Sequence, residues 1–230
     1  RAMFWCGVPL ALLGGLLMAS MIPLGMPRSK LSYVRLLHSL IGLWREEPAL
    51  RRATLTQALL FASFSAFWTV LAFYLAVPAY GLGAEVAGLF GVIGVAGVVA
   101  APLAGRMADR RGARSVVLVG ALLVVLAWIL FETWLSLVGL ALGVILLDLG
   151  VQSALVAHQQ LIYGLRAEAR GRINTLFMTG MFLGGTLGSS LAMLAWQQER
   201  WVGVGWVGLA LALAACLGAL AGKRSLQLAS

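Results

Sequence analysis

The sequence predicts an all-α, polytopic membrane protein: a bundle of seven transmembrane helices. Three observations carry that prediction. Hydrophobic residues make up 61% of the 230 residues and charged ones only 11%, against about 25% charged in an ordinary soluble domain. Apolar runs long enough to cross about 30 Å of hydrocarbon, at about 1.5 Å per residue, recur along nearly the whole chain. These runs are continuous rather than alternating, and lipid cannot satisfy an open sheet edge, so strands are not expected.

The first apolar segment, 1–27, carries a span at 3–26. It exceeds the roughly 7–15 apolar residues of a signal-peptide core. A polar linker, 28–52, follows. Within it LSYVRLLHSLIGLWR sets Leu31, Val34, Leu37, Ile41 and Trp44 on one helical face, with Lys30, Arg35, His38 and Arg45 mostly opposite. That is the pattern of an interfacial amphipathic helix, ended near Pro48; His38 reads as a solvated residue. The segment 53–222 holds six spans, at 53–77, 85–105, 115–131, 134–159, 173–196 and 201–221, and 223–230 is a tail. The run at 115–131 is short, so its ends are expected to draw in Glu132 or residues flanking Ser115. VPAYGLGAE, with Pro78, Gly81 and Gly83, reads as a tight turn between the second and third spans. Cys6 and Cys216 both fall in apolar runs and read as small core residues rather than a disulfide or metal pair.

The net charge is +9. All basic residues except Arg1 and Arg200 fall in the linker, in two alternate loops, or in the tail, and therefore on one side of the bundle. The positive-inside rule makes that side cytoplasmic, with the start of the chain outside and its tail inside. Without a basic stripe interleaved with aromatics, the charge points to anionic lipid and not to nucleic acid. An outside start, with Arg1 as first residue, reads as a fragment lacking an odd number of upstream spans.

Asp148, in GVILLDLGVQ, is the chemical anomaly. An acid at the centre of a spanning helix costs about 2.5–3.5 kcal/mol on insertion scales. Gln152, one turn on, shares its face. Together they read as a polar patch facing a cavity, where the carboxylate could cycle between charged and neutral forms; a structural Asp bonded to a neighbouring helix is the plainer reading. FASFSAFWT gives the second span a polar centre with Ser63, Ser65, Trp68 and Thr69. Trp68 is suited to stacking on an aromatic or cationic ligand, or simply to packing. His158 and Gln159, at the end of the fifth span, are expected to face headgroups or water. Gly88, Gly91, Gly94 and Gly97, every three residues, and Gly180, Gly184 and Gly188, every four, are expected to be helix-packing faces. The loop GRMADRRGAR, 105–114, orders Gly105, Asp109, Arg110, Arg111, Gly112 and Arg114 more closely than a charge anchor requires. Asp109 is placed to accept backbone N–H bonds at a helix start or to pair with a neighbouring Arg.

That loop resembles the cytoplasmic signature of the major facilitator superfamily in its second-half copy, and LLDLGVQ with RAEARGRINTLFMTGMFLGGTLGS is similar to the tenth and eleventh helices of its bacterial drug- or sugar-efflux members. The match departs at Ala113, where the family often has a basic residue. The resemblance covers essentially the whole chain. It implies the sixth through twelfth helices of a twelve-helix secondary transporter, the last six forming one half whose two triplets run in opposite orientation, an inverted repeat. It further implies proton-coupled efflux of a small molecule by alternating access in a bacterial inner (plasma) membrane, and no cofactor beyond the proton gradient. Ser65, Trp68, Asp148 and Gln152 become cavity candidates; Asp109 and its arginine neighbours become a cytoplasmic gate. The expected partners are membrane lipid, a small-molecule substrate and the missing N-terminal helices of the same protein. A seven-helix receptor or sensor and an inactive truncated fragment are the alternatives. A retinal photoreceptor would need a Lys in its last span, and Lys30 and Lys223 both lie outside spans. A membrane hydrolase using Ser189 and His158 would place its nucleophile and base near opposite sides of the membrane, most of a bilayer apart.

Overall fold

The computed structural model describes the backbone of residues 2–21 and 33–227, and side-chain surroundings within these except at 2–7, 10, 33, 84, 95–101 and 222–227. Expectations for Cys6, Leu31, Gly97 and the tail fall outside that description. Among the described residues the regular structure is helical throughout.

Two compact units divide the chain, Arg1–Ser39 and Leu40–Ser230. The first contains α1, Ala2–Met21, with Pro9 inside it. Leu12, Leu13, Leu16, Leu17 and Met18 on α1 are all exposed, so the helix is apolar around its circumference, as a helix solvated by hydrocarbon is. Helix α2, Tyr33–Glu46, begins in this unit and ends in the second. His38 is exposed and its Nδ1 lies 3.1 Å from the Val34 carbonyl of its own helix. Val34, Leu37 and Ile41 are exposed as well, while Leu43 is buried against Leu50, Ile173 and Phe177.

The second unit continues with α3 (Pro48–Leu75), α4 (Ala84–Arg111), α5 (Ala113–Thr133), α6 (Leu137–Tyr163), a short 3-10 turn (Ala167–Ala169) and α7 (Arg170–Gln227). The punctuation is local chemistry. Pro48 opens α3, where its missing N–H costs nothing. Gly81, at φ 60°, makes the turn after α3, and Leu82 N–H returns to the Leu75 carbonyl at 2.9 Å. Gly112, at φ 83°, alone separates α4 from α5. Ser136 caps α6 by accepting from Gly139 N–H at 3.1 Å. Helix α5 does extend to include Glu132.

Helix α7 is broken at Arg200, whose φ of 55° and ψ of −135° are non-helical. Contacts with α3 show that its two arms, 170–199 and 201–227, form a hairpin. A Cβ on Gly180, Gly184 or Gly188 would meet Thr54, Ala58 or Ala62 in turn, so the first arm runs parallel to α3. Trp201 stacks on Tyr74, Gly208 meets Ser63 and Gly218 faces Thr56, so the second arm runs back along α3. By the same reasoning α4 runs parallel to α6 (Gly94 beside Asp148, Gly105 beside Gln160) and α5 antiparallel to it (Phe131 on Gly143, Gly120 on Gly150).

Among the described residues four stretches are long and apolar enough to cross a membrane: Pro48–Leu75, Ala113–Thr133, Leu137–Tyr163 and Ala167–Ala221. This measure does not reach the expected seven. The expected sixth and seventh spans share the last, 55-residue stretch, while α1 and α4 contribute only the shorter described apolar pieces Ala11–Met21 and Glu85–Gly94.

The core is aromatic toward the ends of α3 and α5 that meet the start of the second arm. Phe67 stacks on Phe131 at 4.4 Å between centroids, and Tyr74 on Trp201 at 3.8 Å. Buried Trp128 donates from Nε1 to Ser63 Oγ at 2.6 Å, and Ser63 donates to the Gly208 carbonyl at 2.9 Å. One polar chain thus ties α3, α5 and α7 together. The glycines at 180, 184 and 188 are a packing face, as expected. Gly88 and Gly91 are not packed: a Cβ at either would meet nothing within 4 Å among the described residues.

This contrast is testable by thermal unfolding in detergent. Gly184→Leu, forced against the Ala58 backbone, is expected to destabilise by at least the roughly 1–3 kcal/mol typical of overpacking. Gly88→Ala is expected to be neutral or stabilising by up to about 1 kcal/mol.

Candidate functional site

Asp148 sits on the face of α6 that meets α4 and is 6% exposed. Its Oδ2 is buried and makes no hydrogen bond among the described residues. The neighbour that makes room for it is Gly94, where a Cβ would lie 3.3 Å from both carboxylate oxygens. Gly94 thus lets the α4 backbone approach a carboxylate that a larger side chain would crowd. Gln152 is half-buried one turn along α6.

Ser65 and Trp68 lie elsewhere. Both are half-buried on α3, and Ser65 faces the first arm of α7, where a Cβ on Gly185 would stand 3.0 Å from Ser65 Oγ. Thr69 Oγ1 is within hydrogen-bond distance of the Ser65 carbonyl (2.7 Å) and of Ser189 Oγ (2.9 Å). Trp68 packs edge-on against Phe67 and tilted against Phe64, and its Nε1 is buried without a hydrogen-bond partner among the described residues. Asp148 thus lies at the α4–α6 contact and Ser65 at the contact of α3 with the first arm of α7, while the ring contacts of Trp68 are with Phe64 and Phe67 of its own helix.

The loop candidates resolve differently from the expectation. Asp109 is not at a helix start. It lies in the last turns of α4, exposed, and accepts from Gln160 Nε2 at a long 3.4 Å. The ion pairs found among the described residues lie elsewhere: Arg166 Nε bonds Glu47 at 2.7 Å and Arg166 Nη2 bonds Glu46 at 3.0 Å. Those bonds hold the Arg166 guanidinium above its ordinary pKa, the Glu47 contact contributing most and Glu46 next. Gly105 packs loosely beside Gln160 and Val156. Arg110 and Arg111 are exposed in the last turn of α4, where cations complement the helix dipole. Gly112 supplies the reversal, and exposed Arg114 stands in the first turn of α5.

His158 corrects the sequence reading outright. It does not face headgroups or water: it is 3% exposed, and its Nδ1 lies 2.9 Å from Oε1 of Gln57, itself wholly buried. Helix α6 runs on to Tyr163, so His158 is more than a turn inside its end, covered by α3 and ringed by Phe177. Gln57 was missed because a single amide in an apolar run attracts no attention. Glu132 was noted only as a span-end residue, yet one of its carboxylate oxygens is buried without a hydrogen-bond partner among the described residues.

Comparison with known proteins places these features in a lineage. The family model described as Major Facilitator Superfamily matches residues 1–189 and 53–225. The chain is 35% identical over 216 residues to the "Uncharacterized transporter YgaY" of Escherichia coli O157:H7, covering 93% of this chain and 54% of that protein. It is 35% identical over 208 residues to the "Probable transporter SCO4007" of Streptomyces coelicolor, covering 89% and 48% respectively. The chain spans about half the length of the curated relatives it matches.

The buried Gln57–His158 bond can be tested by a double-mutant cycle read as unfolding free energy. Gln57→Leu alone strands the imidazole and is expected to cost about 1–3 kcal/mol. Adding His158→Leu is expected to restore part of the loss, giving a non-additive cycle.

Proposed function

Because the chain belongs to the major facilitator superfamily of multi-pass membrane transporters, we propose that it forms the C-terminal bundle, plus one helix, of a secondary transporter that exports a small molecule in exchange for protons by alternating access. Asp148 is the proton carrier in this reading, and the observation that supports it most directly is its buried oxygen between two helices, without a hydrogen-bond partner among the described residues. An ionised carboxylate in hydrocarbon is costly, so the charged form favours a conformation that admits water to it, and the neutral form tolerates closure. Coupling follows if substrate and proton bias the same equilibrium in opposite senses.

Other features agree with that reading. Helices α3, α4 and α5 and then α6 and the two arms of α7 alternate in direction, the pattern of two inverted triplets. Glycines 88 and 91, with exposed Leu89 and Val92, leave one face of α4 open, suited to a second bundle supplied by N-terminal helices. Gln152, Trp68 and Ser65 are the proposed substrate contacts, Trp68 offering an indole N–H and an aromatic face. The segment from Gly105 to Arg114, with Asp109 against Gln160, serves as the cytoplasmic gate. In this reading the arginine-rich end lies in the cytoplasm of a bacterial cell and the start of the segment outside the plasma membrane, which the positive-inside rule supports.

The test uses everted vesicles carrying the protein together with its N-terminal bundle, a pH-sensitive dye inside, and a panel of amphiphilic drugs and sugars added outside. Substrate-evoked proton release is expected for at least one compound, and Asp148→Asn is expected to abolish it while leaving the protein folded and as stable or more so. Proton release that survives Asp148→Asn removes this residue from the mechanism.

A further inference from the structure

A second carboxyl group in the bundle has no part in the exchange centred on Asp148. Glu132 stands one residue before the end of α5, at the end of the bundle opposite the loop that joins α4 to α5. Its Oε1 is buried and has no hydrogen-bond partner among the described residues, while the residue as a whole is half-buried. Gly205, in the second arm of α7, is what admits it: a Cβ there would fall on the Glu132 carboxyl group. Trp201 lies one turn earlier on the same face of that arm. It too is buried, and its Nε1 has no hydrogen-bond partner among the described residues. The ionisable neighbours are few. From α3, Tyr74 stacks on Trp201 at 3.8 Å and feels the charge of Glu132. From the turn after α3, the Tyr80 hydroxyl lies 3.2 Å from that of Tyr74. The part of α6 packed here, residues 137–143, carries no ionisable side chain. On α7, Glu199 and Arg200 stand at the break, with the Arg200 guanidinium 5.7 Å over the Trp196 ring. Among the described residues no ion pair reaches Glu132.

An ionised carboxylate spreads its charge over both oxygens, and burying one of them without a donor is expensive. A neutral carboxyl is asymmetric, with one hydroxyl donor and one carbonyl oxygen. The carbonyl oxygen can occupy the recess at Gly205 while the hydroxyl meets water at the helix end. The recess therefore fits the acid and not its anion.

We propose that Glu132 is a second proton-binding site, built by the Gly205 recess between α5 and the second arm of α7 and loaded from the end of the bundle remote from the α4–α5 loop. Loss of the proton drives the carboxylate out of the recess toward water and loosens α5 from α7; uptake closes the contact again. The bundle then holds two protons, one at each of two separate helix contacts. A part for the second proton in transport rests on the proposed exchange mechanism; its binding does not.

The protein in lipid is titrated while its carboxyl stretching bands are followed by infrared difference spectroscopy in the parent, Glu132→Gln, Gly205→Ala and Asp148→Asn. A band that disappears reversibly as pH rises is expected in the parent and in Asp148→Asn, and its loss is expected in Glu132→Gln. Gly205→Ala keeps the carboxyl but fills its recess, and is expected to lose the same band. Thermal unfolding shows that each variant is folded, and Glu132→Gln, close in shape to the neutral acid, is expected to hold the melting temperature of the protonated parent at every pH. Identical spectra for the parent and Glu132→Gln mean a carboxylate ionised throughout and overturn the proposal. A band that Gly205→Ala leaves unchanged overturns it as well. Because the two acids are read through separate variants, absence of the Asp148 band or of proton-coupled transport leaves this result standing, and the reverse also holds.

Discussion

A carboxylate held between two helices, one of its oxygens buried with no hydrogen-bond partner among the described residues, is the constraint on which the functional reading depends. The surrounding bundle satisfies its backbone internally, as hydrocarbon demands, and most of its buried side chains are apolar. Asp148 departs from that rule at the place where Gly94 lets the α4 backbone come close. In its ionised form such a group is costly without water or a partner, and the transport reading supplies a proton and water in alternation.

The rest of the unit supplies rigidity of two kinds. Toward the Arg200 break, aromatic stacking among Phe67, Phe131, Tyr74, Trp128 and Trp201 and the Trp128–Ser63–Gly208 chain bind α3, α5 and α7 into one block. Toward the arginine-rich end the elements are joined by polar contacts: Gln57 with His158, Gln160 with Asp109, and Arg166 with Glu46 and Glu47. That end is not held by polar contacts alone: Leu43, Leu50, Ile162, Ile173 and Phe177 form an apolar cluster there, and the Gln57–His158 bond is buried, while Asp109, Gln160 and Arg166 are more exposed.

Much of this was legible in the chain. Continuous apolar runs dictate helices, Gly81 and Gly112 mark turns that need positive φ, and the polar stretch before Trp201 marks the fold-back inside α7. Asp148 was legible because a lone charge in an apolar run is expensive wherever it points. What stayed hidden were pairings across sequence. Gln57 and His158 lie on different helices and each resembles an isolated polar residue. Gly120 and Gly150 cross at backbone distance without belonging to any repeat. Arg166 reaches back to the end of α2. Periodicity tells which face of a helix is apolar but not which helix it meets, so Ser65 was grouped with Asp148 although it faces α7 while Asp148 faces α4. The same limit hid the role of Gly94, visible in the sequence only as one member of a stripe whose neighbours Gly88 and Gly91 pack against nothing described.

The protonation of Asp148 is the claim most directly open to measurement. Infrared difference spectroscopy of the protein in lipid, comparing the parent with Asp148→Asn across a pH titration in H₂O and D₂O, isolates its carboxyl stretching band. A band that is lost reversibly as pH rises, shifts in D₂O and is missing from the variant is the result expected of a carboxyl that exchanges protons with water. A band that ignores both pH and deuterium would mean a dry, permanently locked side chain, and would contradict the account.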